Sequence, residues 1–355
     1  MKLLDIFKKL VAIDSPSFEE DRVALFVEQK LLASGFSTRY DEAGNLYGYL
    51  DGEGDALLLN THMDTVDLAV GARVVVEDGI IRSDGTTALG ADDKAAVAAV
   101  LYALEKVVSA GRKHPPLVVL FTTAEEVGLA GAKQVDRSLL DGVAFGYTFD
   151  ASGPVGGAII QASWHDRLDV VIGGKAAHAG FKPEDGVSAI KIGSDAIASM
   201  RLFRIDEETT ANVGSFVAPG ATNVINPEAT MSFEARSLDE KKIDKQIAHM
   251  IEVLEKKAES AGGTVHTHHH RLYEGYRHQA DTPVVKRFIE ACEALKIPVE
   301  LKKTQGGSDA NIFNALGIPT LTCSVGYENA HSKEEYIPLV ELERLASLIK
   351  EMIVR

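Results

Sequence analysis

Cysteine is scarce: Cys292 and Cys323 are the only two in 355 residues, and neither lies in a CxxC pair. A disulfide framework is thereby excluded, and a reducing compartment, the cytoplasm, is expected. Long apolar runs are also missing, since none approaches the roughly 20 residues needed to cross a bilayer. Near the N-terminus, Leu3, Leu4, Phe7, Leu10 and Val11 fall at helical spacing, with Asp5 interrupting the apolar stretch. That pattern predicts an opening surface helix and not a targeting segment. Positive charge is in deficit: Lys and Arg total 37 against 52 Asp and Glu, a formal net charge of −15. Such a balance argues against nucleic acid and anionic membrane as partners. There is no internal repeat and no low-complexity linker.

With 45% hydrophobic and 25% charged residues the chain has a globular composition, and its length predicts two domains. Ser17 and Glu20 read as a capping box ahead of an amphipathic helix through Val23, Phe26, Val27 and Leu31. Residues 56–60, 117–121, 144–149 and 320–325 are short apolar runs, each the pattern of a strand buried on both faces. Between residues 161 and 274 the texture becomes β-α-β-β-α-β, the order of a ferredoxin-like unit. The expected architecture is an α/β/α sheet domain from 1–160 and 275–355, interrupted by a ferredoxin-like lid at 161–274.

The buried runs lead straight into groups that bind metals. The first ends in His62-Met63-Asp64, the second in Glu125-Glu126, the third in Asp150, and the last precedes a loop with His331. Open α/β sheets bind ligands at the carboxyl ends of their strands, so these groups are placed to converge. Asp92 sits where the longest helix is expected to begin, and backbone N–H groups there steady a carboxylate. Singly, each has an ordinary role: a structural histidine, a solvated carboxylate pair, a helix cap or a turn residue. Jointly, imidazoles and carboxylates without a thiol suit zinc, cobalt or manganese. Two histidines and three carboxylates exceed the three protein ligands of one catalytic zinc, which favours two ions sharing a carboxylate.

His62-Met63-Asp64, Gly90-Ala91-Asp92-Asp93-Lys94, Glu125-Glu126-Val127-Gly128, Asp150 and His331 together resemble the motif set of the peptidase T family. Its wider superfamily includes glutamate carboxypeptidases, aminoacylases and succinyl-diaminopimelate desuccinylases, and the likeness spans nearly the whole chain. The resemblance implies zinc-exopeptidase-like folding and two Zn2+ per subunit, with Co2+ or Mn2+ as substitutes. It implies that His62 and Asp150 hold one ion, Glu126 and His331 the other, and that Asp92 bridges them. It casts Asp64 as the partner that fixes the His62 tautomer and Glu125 as the general base. A cis peptide between Asp92 and Asp93 is also implied.

In the inserted segment, Gly173-Gly174-Lys175-Ala176-Ala177-His178-Ala179-Gly180 is similar to a stretch whose histidine reaches a neighbouring subunit's active site. This implies a homodimer formed through the lid. Asn223 and Arg236 resemble substrate-contacting residues, although Arg236 also suits a plain ion pair with Glu234 or Asp239 on a strand edge. Gly306-Gly307-Ser308-Asp309-Ala310 resembles another active-site loop. Residues 266–270 (His-Thr-His-His-His) are expected to be incidental surface histidines, and Trp164 to be a packed lid residue or a stacking surface.

The expected activity is hydrolysis of a terminal peptide bond of short peptides by a tripeptide aminopeptidase. Alternatives are a metal-dependent carboxypeptidase or N-acyl amino acid amidohydrolase, which Arg236 would serve, and a non-catalytic metal- or peptide-binding protein, against which the intact Glu125 speaks. A glutamyl-type aminopeptidase shares the pattern around Glu125, but its extra domain is inserted earlier.

Overall fold

In a computed structural model describing residues 1–355, the polypeptide divides into two units. The first comprises Met1–Gln161, Arg277–Lys303 and Ser308–Arg355, and the second Ala162–Tyr276 with Thr304–Gly307.

The first unit opens with α1 (Leu3–Val11) and α2 (Asp21–Ala33), followed by β1 (Ser37–Tyr40), β2 (Leu46–Leu50) and β3 (Ala56–His62). After the short strands β4 (Val75–Glu77) and β5 (Ile80–Arg82) come α3 (Ala91–Ser109), β6 (Leu117–Thr122), β7 (Val143–Ala151) and β8 (Gly157–Ala162). The second unit contains β9 (Trp164–Gly173), β10 (Ala177–His178), α4 (Ala189–Ser199), β11 (Phe203–Arg204), β12 (Thr209–Val217), β13 (Val224–Ile225), β14 (Glu228–Ser237), α5 (Glu240–Ala261) and β15 (Thr264–Tyr273). The chain closes with β16 (Tyr276–Arg277), α6 (Pro283–Ala294), β17 (Glu300–Thr304), α7 (Asp309–Ala315), β18 (Thr320–Ser324), β19 (Tyr336–Pro338) and α8 (Leu339–Val354).

The large sheet runs β1-β2-β6-β3-β7-β18-β8-β16, with β17 paired to β8. Its centre is parallel, β3 lying between β6 and β7 and β7 beside β18. Every residue of β6 and all but the first of β3 are buried, because helices cover both faces; hence the continuous apolar runs. The Ala-rich α3 packs on α1, α8, β3 and β7, and its small side chains allow that close approach. On α1, Leu3, Ile6, Phe7, Leu10 and Val11 are buried, each side chain contributing about 1.5–3 kcal/mol when withdrawn from water.

The second unit has a five-stranded sheet in the order β11-β12-β14-β9-β15, with antiparallel pairing throughout. Ile243, Ile247, Met250 and Leu254 on α5 recur at helical spacing and pack with Leu168, Val170, Ile172, Met231 and Phe233. The strand and helix order is the ferredoxin-like one, with three two-residue strands added.

Several expectations require correction. Ser17 and Glu20 form no capping box: α2 has no side-chain cap, and both side chains bond elsewhere. Asp92 opens a helix of 19 residues, but α5 is longer at 22. Asp150 lies inside the end of β7, not after it. Arg236 is on β14, an interior strand and no edge. A small sheet, β19-β5-β4, was not expected at all. No helix is long and apolar enough to cross a membrane.

Candidate metal centre

The carboxyl ends of β3, β6 and β7 deliver His62, the Glu125-Glu126 turn and Asp150 to one rim of the large sheet. Asp92 comes from the start of α3, where Asp92 and Asp93 depart from helical geometry and their peptide is cis, as the family resemblance implied. His331 comes from the loop between β18 and β19 and has φ 63°.

His62 is the hub. Its Nε2 lies 3.1 Å from Asp92 Oδ1 and 3.5 Å from Asp150 Oδ1, and its Nδ1 lies 3.1 Å from Asp64 Oδ1. Asp92 also reaches His331, with 3.2 Å between Oδ2 and Nε2, and His331 Nε2 is 2.9 Å from the Glu126 carboxylate. Asp64 is fully buried and accepts from the Glu125 N–H at 3.0 Å, the Glu126 N–H at 3.2 Å and the Ser17 hydroxyl at 2.7 Å. It thus holds both the imidazole and the turn that carries the two glutamates.

Electrostatics sort these groups. Burial opposes ionisation of Asp64, but its bond to His62 and the Ser17 and Glu125 donors outweigh that and hold it below the usual range. Asp92 is likewise held low, with His331 and His62 overcoming burial. Asp150 goes the other way: burial pushes its carboxyl up to about 7. Glu125 is raised well above the ordinary value by burial and by the charge of Asp150. The carboxylates of Asp92 and Glu126 push the His331 imidazole up to about 10.

Whether these residues suit divalent cations follows from their donors. Ligand atoms of His62, Asp92 and Glu126 lie within 4.8 Å of one another, as do those of His62, Asp93 and Asp150. Asp93 is fully buried; Thr61 donates to one of its oxygens, while the other has no hydrogen-bond partner. Buried carboxylates so outnumber the imidazoles that a compensating positive charge is called for. Both cysteines are buried within the hydrophobic core, so the donors are imidazole and carboxylate alone. The set fits zinc, cobalt or manganese.

Sequence reasoning missed several supporting residues. Glu335, 1% exposed, accepts from the N–H groups of Gly90 at 2.7 Å and Asp92 at 2.9 Å. Glu20 accepts from the N–H of Ala124, next to Glu125, at 2.8 Å. Asp93 enters the sequence reading through the Gly90–Lys94 motif and the cis peptide, with no ligand role. Asp309, from the glycine-containing loop, accepts from Thr122 and from Asn60 Nδ2 at 3.4 Å. Its carboxyl is pushed up to about 6 by burial. Glu335 alone had a signal in the sequence: it is the second of two adjacent acidic residues, Glu334 and Glu335, that follow closely on His331.

The remaining candidates belong to the second unit. His178 is on β10, paired with Val224 of β13, and its ring stacks on Phe181 at 4.2 Å. Asn223 is exposed and its carbonyl accepts from the Ala179 N–H at 2.9 Å, so these two share one corner. Arg236 donates to the Tyr273 hydroxyl at 3.2 Å, the Gln305 carbonyl at 3.1 Å and Glu234 at 3.3 Å; Asp239 is not among its partners. Trp164 packs against the unit's core. In the histidine run, His269 pairs with buried Asp166 at 2.7 Å, and the run joins neither metal-binding group.

Comparison with known proteins identifies the family. Residues 58–355 match peptidase family M20/M25/M40. The Bacillus subtilis (strain 168) protein YqjE is 38% identical, over 99% of this chain and 97% of its own. The fold is similar to that of the aminopeptidase PepT from Bacillus cereus ATCC 10987, with a TM-score of 0.93, 36% identity, and 99% and 97% of the two chains covered. A tripeptidase from Staphylococcus aureus subsp. aureus Mu50 is similar with a TM-score of 0.94, 38% identity and the same coverage. The motif resemblance to peptidase T therefore extends to the whole chain, which belongs to peptidase family M20/M25/M40 and is a metal-dependent peptidase.

Proposed function

We propose that this protein is a tripeptide aminopeptidase working with two zinc ions, for which cobalt or manganese would substitute. The observation that carries this reading is the continuous chain of donors Asp150–His62–Asp92–His331–Glu126, beside which Glu125 stands without a donor partner of that chain. In it, His62 with Asp150 would hold one ion and Glu126 with His331 the other, Asp92 serving both. When bound, the ions supply positive charge that polarises the scissile carbonyl and acidifies water.

Glu125 carries out the proton transfers. Its carboxylate takes a proton from the water whose oxygen bonds to the carbonyl carbon, then delivers it to the leaving nitrogen as the C–N bond breaks. Asp64 keeps His62 in the tautomer that presents Nε2 to the centre. His178, Asn223 and Arg236 are proposed as substrate contacts, and a homodimer through the second unit as the assembly. Two unpaired thiols favour a reducing cytoplasm as the location. Arg236 already donates to three acceptors of its own unit, which lends the carboxypeptidase and N-acyl amidohydrolase readings less support.

The test is activity of the zinc-reconstituted protein on one tripeptide with its N-terminus free and then acetylated. Cleavage of the free form alone, abolished by chelator, is the expected result. Cleavage of the acetylated form would transfer the activity to a carboxypeptidase or deacylase, and cleavage of neither would overturn the peptidase reading for such substrates.

A further inference from the structure

Phe18 combines features that a folded chain seldom tolerates together. Its φ is 71°, a left-handed conformation in which a bulky side chain is a steric outlier, and its side chain is 73% exposed. Burial therefore does not offset the strain. Nor does the turn require a phenyl group. Its shape is secured by neighbours: the Ser17 hydroxyl donates to Asp64 Oδ2 at 2.7 Å, and Glu20 Oε1 accepts from the Phe18 N–H at 3.0 Å. The same Glu20 oxygen accepts from the Ala124 N–H at 2.8 Å. Glycine would make this turn without steric cost.

A second exposed apolar residue lies on the same frame. Val127, 53% exposed, follows Glu126, whose N–H donates to Asp64 Oδ2 at 3.2 Å. Phe18 and Val127 are thus each the chain neighbour of a group bonded to one oxygen atom, and that atom belongs to the carboxylate that orients His62. Strain that persists at an exposed position beside a reactive centre is the pattern expected of a functional constraint.

We propose that Phe18, assisted by Val127, is a specificity-determining residue that receives the apolar side chain of the peptide residue next to the scissile bond. This rests on the metallopeptidase reading above. The phenyl ring and the valine methyl groups supply apolar surface at the rim of a centre otherwise lined with charge, so a leucine side chain gains by leaving water there while glycine gains nothing.

The experiment compares kcat/KM for Leu-Gly-Gly and Gly-Gly-Gly in the zinc-loaded wild type, Phe18→Gly, Phe18→Leu and Val127→Ser. Phe18→Gly is expected to lower the leucine-to-glycine ratio about tenfold. Its Tm should stay the same or rise, because the strain is relieved. Phe18→Leu should restore most of the ratio and Val127→Ser lower it less. A changed Tm with an unchanged ratio would leave Phe18 a structural residue and overturn the proposal. Calorimetric titration with L-leucine and with glycine separates the two readings. Loss of a leucine preference in Phe18→Gly supports the rim assignment even where neither peptide is cleaved, an outcome that sinks the peptidase reading alone. Equal binding of leucine and glycine by the wild type overturns the rim assignment.

Discussion

Glu335 grips the backbone of Asp92: one carboxylate oxygen accepts from the Asp92 N–H at 2.9 Å and the other from the Gly90 N–H at 2.7 Å. Because Glu335 closes the same loop that carries His331, the distance between Asp92 and His331 is set twice, once by side chains and once through the backbone. Burial pushes the Glu335 carboxyl up to about 7, against the pull of those two donors. Glu335→Ala leaves two buried N–H groups without acceptors, each costing about 1–3 kcal/mol. The expected result is a lower Tm together with weaker metal retention on dialysis. Unchanged retention in a folded Glu335→Ala protein would show that the loop positions His331 without this clamp.

The two adjacent glutamates should separate by substitution. Glu125→Gln is expected to keep the full metal content and lose roughly 10²–10⁴-fold in kcat. Glu126→Gln should lower metal content instead, since it removes the partner that sits 2.9 Å from His331. Elemental analysis beside steady-state kinetics checks both, and an active Glu125→Gln would remove that residue from proton transfer.

Asp64 acts through His62 and through the glutamate turn at once. Asp64→Asn should weaken metal affinity by about 10–100-fold, as loss of a histidine's outer partner commonly does. Ser17→Ala removes only one of the donors to Asp64 and should have a much smaller effect of the same sign. Competitive titration with a chromogenic chelator measures both. An Asp64→Asn protein with wild-type affinity would assign that carboxylate to the turn alone.

Acid sensitivity of the second unit should trace partly to His165. Burial, reinforced by the Arg236 cation, brings its imidazole down to about 4, while Glu234 at 3.1 Å only partly opposes this. The unfolded chain takes up this proton near 6.5 and the folded one near 4. Stability from the neutral ring is therefore complete above about 6.5 and declines as pH falls toward 4. Tm measured from pH 7 to pH 4 should drop less steeply in His165→Gln than in the wild type. Parallel curves would assign the acid response to other groups.

The sequence made the central sheet and most of the donors legible for one physical reason. Strands buried on both faces must be apolar, so a charged residue at the end of 56–60 or 117–121 stands out. Asp92 was readable through its place before a helix. What stayed hidden depends on contacts between distant parts of the chain. Glu335 acts on a backbone 243 positions away, and Ser17 on a carboxylate 47 positions away. The Ser17–Glu20 spacing fitted a capping box, but Asp64 and the Ala124 N–H offered those side chains buried partners that a frayed helix end does not. The strands at 75–77 and 80–82 have three residues each, too few for any period to show. In the second unit the regular periods of β9, α5 and β15 revealed the elements, while the partners of Arg236 depend on residues as far off as Gln305.

In the large sheet β18 lies between β7 and β8, although the chain makes β7 and β8 in succession. A growing polypeptide therefore reaches Ala162 with a gap in its central sheet, and the strand that fills it is translated only after the entire second unit. Pairing across so long an interval is slow, because the loop must close before the contact rewards it. Until then the edge of β7 that receives β18 lacks that neighbour, and such an edge invites pairing with another chain. Nascent chains arrested before residue 320 should accordingly be prone to associate, and of the candidate ligands His331 is the last to leave the ribosome.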